Sequence, residues 1–242
     1  MKERAERMLI DFGANLLPGF VGGSGDMASC VERIKDLHSF GVAAAVLTPR
    51  YYPSKMTTAE FTDRRKRILE KLYAELPVKR PALYVGSEVY VDERLKYIHD
   101  VESLAIQGTH TVITVMPNGV WEDALLDTLI SIRNAGYEVL VSHVDSIPLQ
   151  YAQALFRLEF KGIADASVFS GLTNIKKRKQ VLSWIDNGNI VALGSNFTAD
   201  DQNKHFKTER IRTVIGNERS EKLAVKGAQL LAGAYPYPDY LY

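Results

Sequence analysis

The sequence has only one cysteine, Cys30, among its 242 residues. A single cysteine excludes an intrachain disulfide. It also does not fit a cysteine-based phosphatase, which needs an arginine at the end of a phosphate-cradling loop, because the sixth residue after Cys30 is Asp36. The stretch has the pattern of an amphipathic helix. We therefore expect Cys30 to be a small buried side chain without a chemical role.

The sequence also lacks a charge imbalance and a long apolar run. Its 30 Lys and Arg against 29 Asp and Glu give a net charge of +1, which provides no general attraction to nucleic acid or to anionic membranes. No stretch approaches the roughly 20 apolar residues of a membrane span, and no apolar signal core follows the charged residues 1–7. We therefore expect a cytoplasmic protein with no membrane span that binds no nucleic acid.

What the sequence does contain is an alternation of short apolar runs and amphipathic stretches. The runs are mostly continuous, which is typical of strands covered on both faces. There are seven of them, at residues 8–12, 43–48, 82–85, 111–115, 138–141, 162–167 and 190–194. Repeated strand–helix units predict a parallel sheet. We predict an α/β fold with a distorted (β/α)7 TIM-like barrel, and a doubly wound sheet is the alternative.

Helical patterns lie between the predicted strands. Thr57 and Glu60 have the spacing of a capping box at the start of one of them. Two others span residues 121–135 and 174–187, and each is followed by a glycine that is typical of a helix end. The basic run 176–179 lies in the second of these, and we interpret it as a solvated helix face.

The end of the sequence is rich in tyrosine and proline. It follows a helical pattern over residues 217–232, and its prolines favour an extended path. We therefore divide the chain into one barrel domain, residues 1–234, and a tail, residues 235–242. The tail either packs back on the barrel or docks on another subunit or a partner, and both alternatives stay open.

Polar side chains follow the predicted strands at their carboxyl ends, where the chemistry of such folds gathers. Each has an ordinary explanation: Glu88 as a solvated strand end, or His143 as a neutral histidine bonded to a loop carbonyl. Together they predict a polar mouth of the barrel. The residues that we select from it are Asp11, Asn15, Arg50, Glu88, His143 and Asn196.

In their order along the chain, these strand ends resemble the polymerase and histidinol phosphatase (PHP) superfamily. Within it, the chain resembles the tyrosine phosphatases encoded with capsule and exopolysaccharide genes of Gram-positive bacteria. Those proteins open with Asp-x-His-x-His and then Leu-Pro-Gly-x-Asp-Asp-Gly. The corresponding segments here read Asp11-Phe12-Gly13-Ala14-Asn15 and Leu17-Pro18-Gly19-Phe20-Val21-Gly22-Gly23. The resemblance runs nearly end to end and implies a PHP-type barrel.

The remaining motifs of this family show both matches and substitutions. Gly-x-Glu is intact as Gly86-Ser87-Glu88, whereas Thr-Pro-His reads Thr48-Pro49-Arg50. The fourth-strand Glu before Pro is replaced in Val115-Met116-Pro117. Ala-His-Pro-Glu-Arg reads Ser142-His143-Val144-Asp145-Ser146, and Ser-Asp-Ala-His reads Ser195-Asn196-Phe197-Thr198.

These substitutions affect the metal cluster, commonly manganese or iron, that the resemblance implies. Such a cluster needs several imidazoles and carboxylates at once. Of the implied ligand positions, only Glu88 and His143 keep a ligand-type side chain. Gly13 and Val115 offer no ligand, and Arg50 places a permanent cation among the others. We therefore predict no cofactor, and manganese or iron only if the site is retained.

The resemblance and its departures together predict a catalytically inactive phosphatase homologue, a pseudophosphatase with a binding or regulatory role in capsule or exopolysaccharide production. Its expected partner is a small anion, a phosphorylated protein or the tyrosine kinase of an exopolysaccharide operon, and a homo-oligomer stays open. The first alternative is an active metal-dependent tyrosine phosphatase with a reduced site around Asp11, Glu88 and His143. The second is a metal-free hydrolase with His143 as general base and Arg50 as oxyanion clamp.

We predict that the protein purifies without stoichiometric manganese, iron or zinc. The reason is that a set of implied ligand positions lacks ligand-type side chains: Gly13, Asn15, Arg50, Val115, Asn196 and Thr198. Elemental analysis of protein purified without chelators measures this. One or more tightly held transition-metal ions per chain would contradict the prediction.

Overall fold

The computed structural model describes residues 9–169, 175–196 and 206–237. Nine strand segments in this part form one all-parallel sheet. They are β1 (Ile10–Ala14), β2 (Ala44–Leu47), β3 (Arg50–Tyr51), β4 (Ala82–Val85), β5 (Glu88–Tyr90), β6 (Thr111–Val115), β7 (Glu138–Val141), β8 (Lys161–Asp165) and β9 (Ile190–Gly194).

The segments close into a ring because two of the strands are interrupted. Only Thr48 and Pro49 separate β2 from β3, and only Gly86 and Ser87 separate β4 from β5. β2 pairs with β4 and β3 with β5, pairing continues in chain order from β5 to β9, and β9 pairs back with β1. The predicted seven-stranded α/β barrel is confirmed. The doubly wound alternative is wrong, because a doubly wound sheet does not close on its first strand.

Seven α-helices surround the sheet in the described residues. They are α1 (Met27–Ser39), α2 (Thr58–Glu75), α3 (Asp123–Asn134), α4 (Leu149–Arg157), α5 (Ile175–Asp186), α6 (Thr208–Ile215) and α7 (Asn217–Leu230). The capping box at the start of α2 is confirmed. The sequence did not reveal α4 and α6, which have 9 and 8 residues and are too short for a clear helical period. None of the described helices is both long and apolar enough to cross a membrane.

A buried arginine fixes the interruption between β4 and β5. Arg65 on α2 is 4% exposed, and its Nη1 donates to Gly86 O at 2.8 Å and to Ser87 Oγ at 2.9 Å. Its Nη2 donates to Ser103 O at 2.9 Å. The charge-assisted bond to Gly86 O satisfies a backbone oxygen at the break, and the bond to Ser103 O ties the break to the segment before β6. They thereby hold the turn directly before Glu88.

The first residues of the tail cover an open edge of the barrel. In the described part of the chain, β4 pairs with a strand only on its β2 side. On the other side, Tyr237 forms an antiparallel bridge with Leu83, and its hydroxyl donates to Leu69 O on α2. Tyr237 is 2% exposed, so this part of the tail packs back on the barrel. Residues 238–242 lie outside the described residues.

Replacing Tyr237 should destabilise the barrel. We expect Tyr237→Ala to lower the free energy of unfolding by about 3–5 kcal/mol, because it removes a buried ring and leaves a cavity. Urea unfolding measures this. The control is Tyr235→Ala, whose ring is 66% exposed and whose replacement should change stability by less than about 0.5 kcal/mol. Equal effects of the two substitutions would show that the docked ring does not hold the edge.

Candidate functional site

Arg50 and Glu88 form an ion pair at the carboxyl end of the barrel. They are register partners on the adjacent strands β3 and β5, so their side chains leave the sheet on the same face. Arg50 Nε and Nη2 lie 2.6 and 2.5 Å from Glu88 Oε2. The Glu88 side chain is 4% exposed and that of Arg50 is 22% exposed. The pair is therefore mostly removed from water, and each charge depends on the other.

The second carboxylate oxygen of Glu88 is also occupied. Ser142 Oγ donates to Oε1, and His143 Nε2 lies 3.1 Å from the same oxygen, although its N–H is not aligned for a regular hydrogen bond. Burial alone would raise the pKa of Glu88, but His143, Arg50 and Ser142 together lower this pKa to about 2. Glu88 is thus an anion whose two oxygens are already in use.

The same arrangement favours the protonated form of His143. Burial opposes the imidazolium, but the Glu88 carboxylate outweighs this effect and raises the pKa of His143 above its ordinary value. The residue has a left-handed backbone, with φ of 55°. Histidine adopts this conformation more often than most residues other than glycine, as asparagine and aspartate also do. We call Arg50, Glu88, Ser142 and His143 the cation cluster.

A second group of polar residues surrounds Asp11 at the junction of β1 and β9. Asp11 is fully buried, and its Oδ1 accepts from Gly13 N at 2.9 Å and from Ser195 N at 2.8 Å. Within the described residues its Oδ2 has no hydrogen-bond partner. Burial raises the pKa of Asp11 to about 6, although the bonds from Ser195 and Gly13 lower it in part.

Asn196 occupies the space in front of Gly13. A Cβ on Gly13 would lie 2.8 Å from Asn196 Oδ1 and 3.1 Å from Gly194 Cα, closer than ordinary contacts allow. Asn196 has a left-handed φ of 48°, and its Nδ2 donates to Asp165 Oδ2 at 3.3 Å. Glycine at position 13 and asparagine at position 196 therefore fit one another.

The predicted site residues thus separate into two groups. Arg50, Glu88 and His143 belong to the cation cluster. The others, Asp11, Asn15 and Asn196, belong to the group beside β1 and β9, where Asn15 Nδ2 donates to Val21 O at 3.0 Å. Asp165 connects the groups, because its charge acts on Asp11 and on His143. Thr198 lies outside the described residues.

A cleft of about 420 Å³ opens beside the cation cluster. Arg50, Ser142 and His143 form one wall of it. Two tyrosine rings, Tyr52 and Tyr90, lie with centroids 5.0 Å apart on its margin. The remaining lining residues come from the end of β6 and from the loops after β6 and β7, and most of them are apolar. They are Val115, Met116, Pro117, Asn118, Gly119, Ser146, Ile147 and Pro148. Two other depressions, beside Tyr237 and beside Lys222, contain none of the predicted site residues.

One part of the basic run differs from the sequence interpretation. The solvated-face interpretation of residues 176–179 is wrong for Lys177, whose Nζ lies 2.7 Å from Asp145 Oδ2 and 3.4 Å from Ser146 Oγ. The Asp145 side chain is fully buried, so it requires a cation. Lys177 therefore lies beside a wall of the cleft. No sequence spacing connects α5 with the loop after β7, so sequence reasoning missed this contact.

The described donor set does not fit a bound metal ion. Both oxygens of Glu88 are engaged, and His143 is driven toward its protonated form, which cannot coordinate a metal. In residues 9–169, 175–196 and 206–237, no three His, Cys, Asp or Glu side chains are grouped so that they could hold a metal ion. A metal ion could bind here only if it displaced the contacts that Arg50, Ser142 and His143 make with Glu88.

Comparison with known proteins identifies a family. The family model "Capsular polysaccharide synthesis, CpsB/CapC" matches residues 9–195. No curated protein is significantly similar in sequence.

Solved structures share the fold. One comes from the crystal structures of YwqE from Bacillus subtilis and CpsB from Streptococcus pneumoniae, described as unique metal-dependent tyrosine phosphatases. It has a TM-score of 0.76 and 15% sequence identity, and the match covers 95% of this chain and 96% of that chain. An organophosphorus hydrolase variant from Deinococcus radiodurans has a TM-score of 0.51, 13% identity, and coverage of 93% and 91%. A TatD-like protein from Archaeoglobus fulgidus has a TM-score of 0.50, 12% identity, and coverage of 92% and 99%. At these identities the likeness concerns the fold.

The raised pKa of Asp11 predicts a pH dependence of stability. Its pKa rises from 3.8 in the unfolded chain to about 6 in the fold, so its contribution is complete below about pH 3.8 and is lost as the pH rises through 6. In Asp11→Asn, Oδ1 can still accept both N–H bonds, but the side chain does not titrate. We expect the stability of the wild type relative to this variant to fall by on the order of 3 kcal/mol between pH 4 and pH 7. Urea unfolding across this range tests it, and a constant difference would contradict the prediction.

Proposed function

Because the chain belongs to the CpsB/CapC capsular polysaccharide synthesis family, we propose that it is a phosphoryl-binding homologue of tyrosine phosphatases that does not catalyse metal-dependent hydrolysis. The observation that carries this proposal is the buried ion pair between Arg50 and Glu88, with His143 at its side. We further propose that the protein acts in the control of capsule or exopolysaccharide production.

The charge of the cation cluster suits a phosphoryl group. When His143 is protonated, Arg50 and His143 carry two positive charges and Glu88 carries one negative charge, so the cluster is positive by one charge. Both cationic side chains form part of the cleft wall and are only partly exposed, which strengthens their attraction for an anion. Lys177 adds a cation near Ser146, although it also neutralises Asp145. A doubly charged phosphoryl group matches this environment better than a neutral ligand.

The aromatic margin of the cleft suits a phosphotyrosine ring. Tyr52 and Tyr90 line the cleft beside the cation cluster, and an aromatic ligand ring gains contact area and favourable geometry from such neighbours. The related YwqE and CpsB are tyrosine phosphatases by name. We therefore propose a phosphotyrosine-bearing protein as the ligand, and the tyrosine kinase of an exopolysaccharide operon in the cytoplasm is one such partner.

The charge state of His143 favours binding over hydrolysis without metal. A general base must be unprotonated, whereas the Glu88 carboxylate favours the imidazolium form. Protonated His143 can donate a hydrogen bond to a phosphoryl oxygen. Glu88 is in turn bonded to Arg50 and Ser142, which leaves it poorly suited to activate water.

Binding of phenyl phosphate, measured by calorimetry at pH 6, tests the proposal. We expect the double variant Arg50→Gln/Glu88→Gln to bind roughly tenfold or more weakly, because a charge-assisted contact is lost without leaving Glu88 as an unpaired buried anion. The control Arg67→Gln changes an exposed arginine of α2 and should bind as the wild type does.

A turnover assay separates binding from catalysis. We expect no hydrolysis of a phosphotyrosyl peptide above background, with or without manganese. Manganese-stimulated turnover that Glu88→Gln abolishes would overturn the proposal in favour of an active metal-dependent phosphatase. Equal binding of phenyl phosphate by the wild type and the double variant would remove the cation cluster from consideration.

A further inference from the structure

Two large aliphatic side chains are exposed next to residues that line the cleft, one in the loop after β6 and one at the start of α4. Val120 is 86% exposed and follows Gly119, and Leu149 is 49% exposed and follows Pro148. Gly119 and Pro148 both line the cleft. A single exposed aliphatic side chain is ordinary, but two beside the same binding cleft mark a surface for an apolar group.

The positions of these two residues are fixed by an aromatic stack. The rings of Trp121 and Tyr151 lie 4.5 Å apart at an interplanar angle of 18°. Trp121 N donates to Tyr151 Oη at 3.3 Å, and Trp121 Nε1 donates to Pro117 O at 2.9 Å. The stack joins the loop after β6 to the start of α4. Val120 and Leu149 each lie one or two residues from a stacked ring, so both are anchored next to rigid groups.

We propose that Val120 and Leu149, with Pro117 and Pro148 between them and the cation cluster, form an apolar shelf that binds an aliphatic side chain of a phosphorylated peptide. The shelf would take a residue close in sequence to the phosphotyrosine whose phosphoryl group lies against Arg50 and His143. This inference rests on the proposed function and adds to it a preference for the sequence around the phosphorylated residue.

The position of the shelf beside the cleft and the charges around it favour an aliphatic residue of a phosphorylated peptide as its occupant. The cation cluster lines the same cleft as Gly119 and Pro148, and Val120 and Leu149 follow these two residues directly in the chain. One extended segment lying in the cleft can therefore reach both the cation cluster and the shelf. A free phosphate or an aryl phosphate has no atoms to cover the shelf. Glu122 and Asp123 follow Val120 at the start of α3 and are exposed, so acidic flanking residues would be repelled there. The fitting neighbour of the phosphotyrosine is therefore aliphatic and uncharged.

Fluorescence anisotropy with two phosphotyrosyl peptides tests the shelf. In one peptide leucine flanks the phosphotyrosine at the two positions on each side, and in the other these positions are serine. We expect the wild type to bind the leucine peptide roughly tenfold more tightly, because burial of aliphatic area on the shelf adds to the phosphoryl contact. The variant Val120→Ser/Leu149→Ser should lose this preference and bind the serine peptide and phenyl phosphate as the wild type does.

The matched control is Val78→Ser, which changes a valine that is 95% exposed in the loop before β4, at the opposite end of the barrel. It should keep the full preference for the leucine peptide. If phenyl phosphate binds but the leucine peptide has no advantage, or keeps its advantage in the double variant, the shelf is overturned and the proposed function stands. If the wild type does not bind phenyl phosphate, the proposed function falls, and this inference with it. A wild-type dimer that dissociates in the double variant would show that a second copy covers the shelf, which also overturns the inference.

Discussion

A buried carboxylate must find compensating charge, and Glu88 finds it in Arg50. Arg50 begins β3 and Glu88 begins β5, the segments that follow the two strand interruptions. Because these residues are register partners, the pairing of β3 with β5 also brings the two charges together. Removing one partner of such a pair leaves an uncompensated buried charge, which typically costs several kcal/mol. Ser142 and His143 at the end of β7 complete the environment of Glu88. The mouth of the barrel is therefore held together by one anion and the groups gathered around it.

The support for this anion extends into the surrounding helices. Arg65 on α2 binds the turn directly before Glu88, and the backbone oxygen of Leu69 on the same helix accepts a hydrogen bond from the Tyr237 hydroxyl. α2 thus contacts both the site and the covered edge of β4. The ion pair of Asp145 and Lys177 connects the loop after β7, which contributes Ser146 to the cleft, with α5. The cleft is positioned by contacts that are remote in sequence, and its geometry depends on the closed ring.

The sequence predicted the strands well where apolar runs are continuous and end at turn residues, as in β4, β6, β7 and β9, whose bounds agree with the structure. It did not predict β3 and β5, because two- and three-residue segments have no period. The proximity of Arg50, Glu88 and His143 followed from the rule that parallel strand ends meet. The same rule did not predict that Asp11 lies apart from this cluster. Its position depends on the backbone N–H groups of Gly13 and Ser195, which bind its Oδ1.

The fit between Gly13 and Asn196 has a consequence for how such a site changes over generations. A histidine side chain at position 13 alone would place its Cβ 2.8 Å from Asn196 Oδ1 and 3.1 Å from Gly194 Cα. The neighbouring amide would have to move or be replaced in the same step, and Asp165 would then lose the donor that Asn196 provides. A histidine at position 13 alone is therefore destabilising until position 196 changes with it. Positions 13 and 196 are therefore coupled, and a larger side chain at position 13 requires a second substitution at position 196.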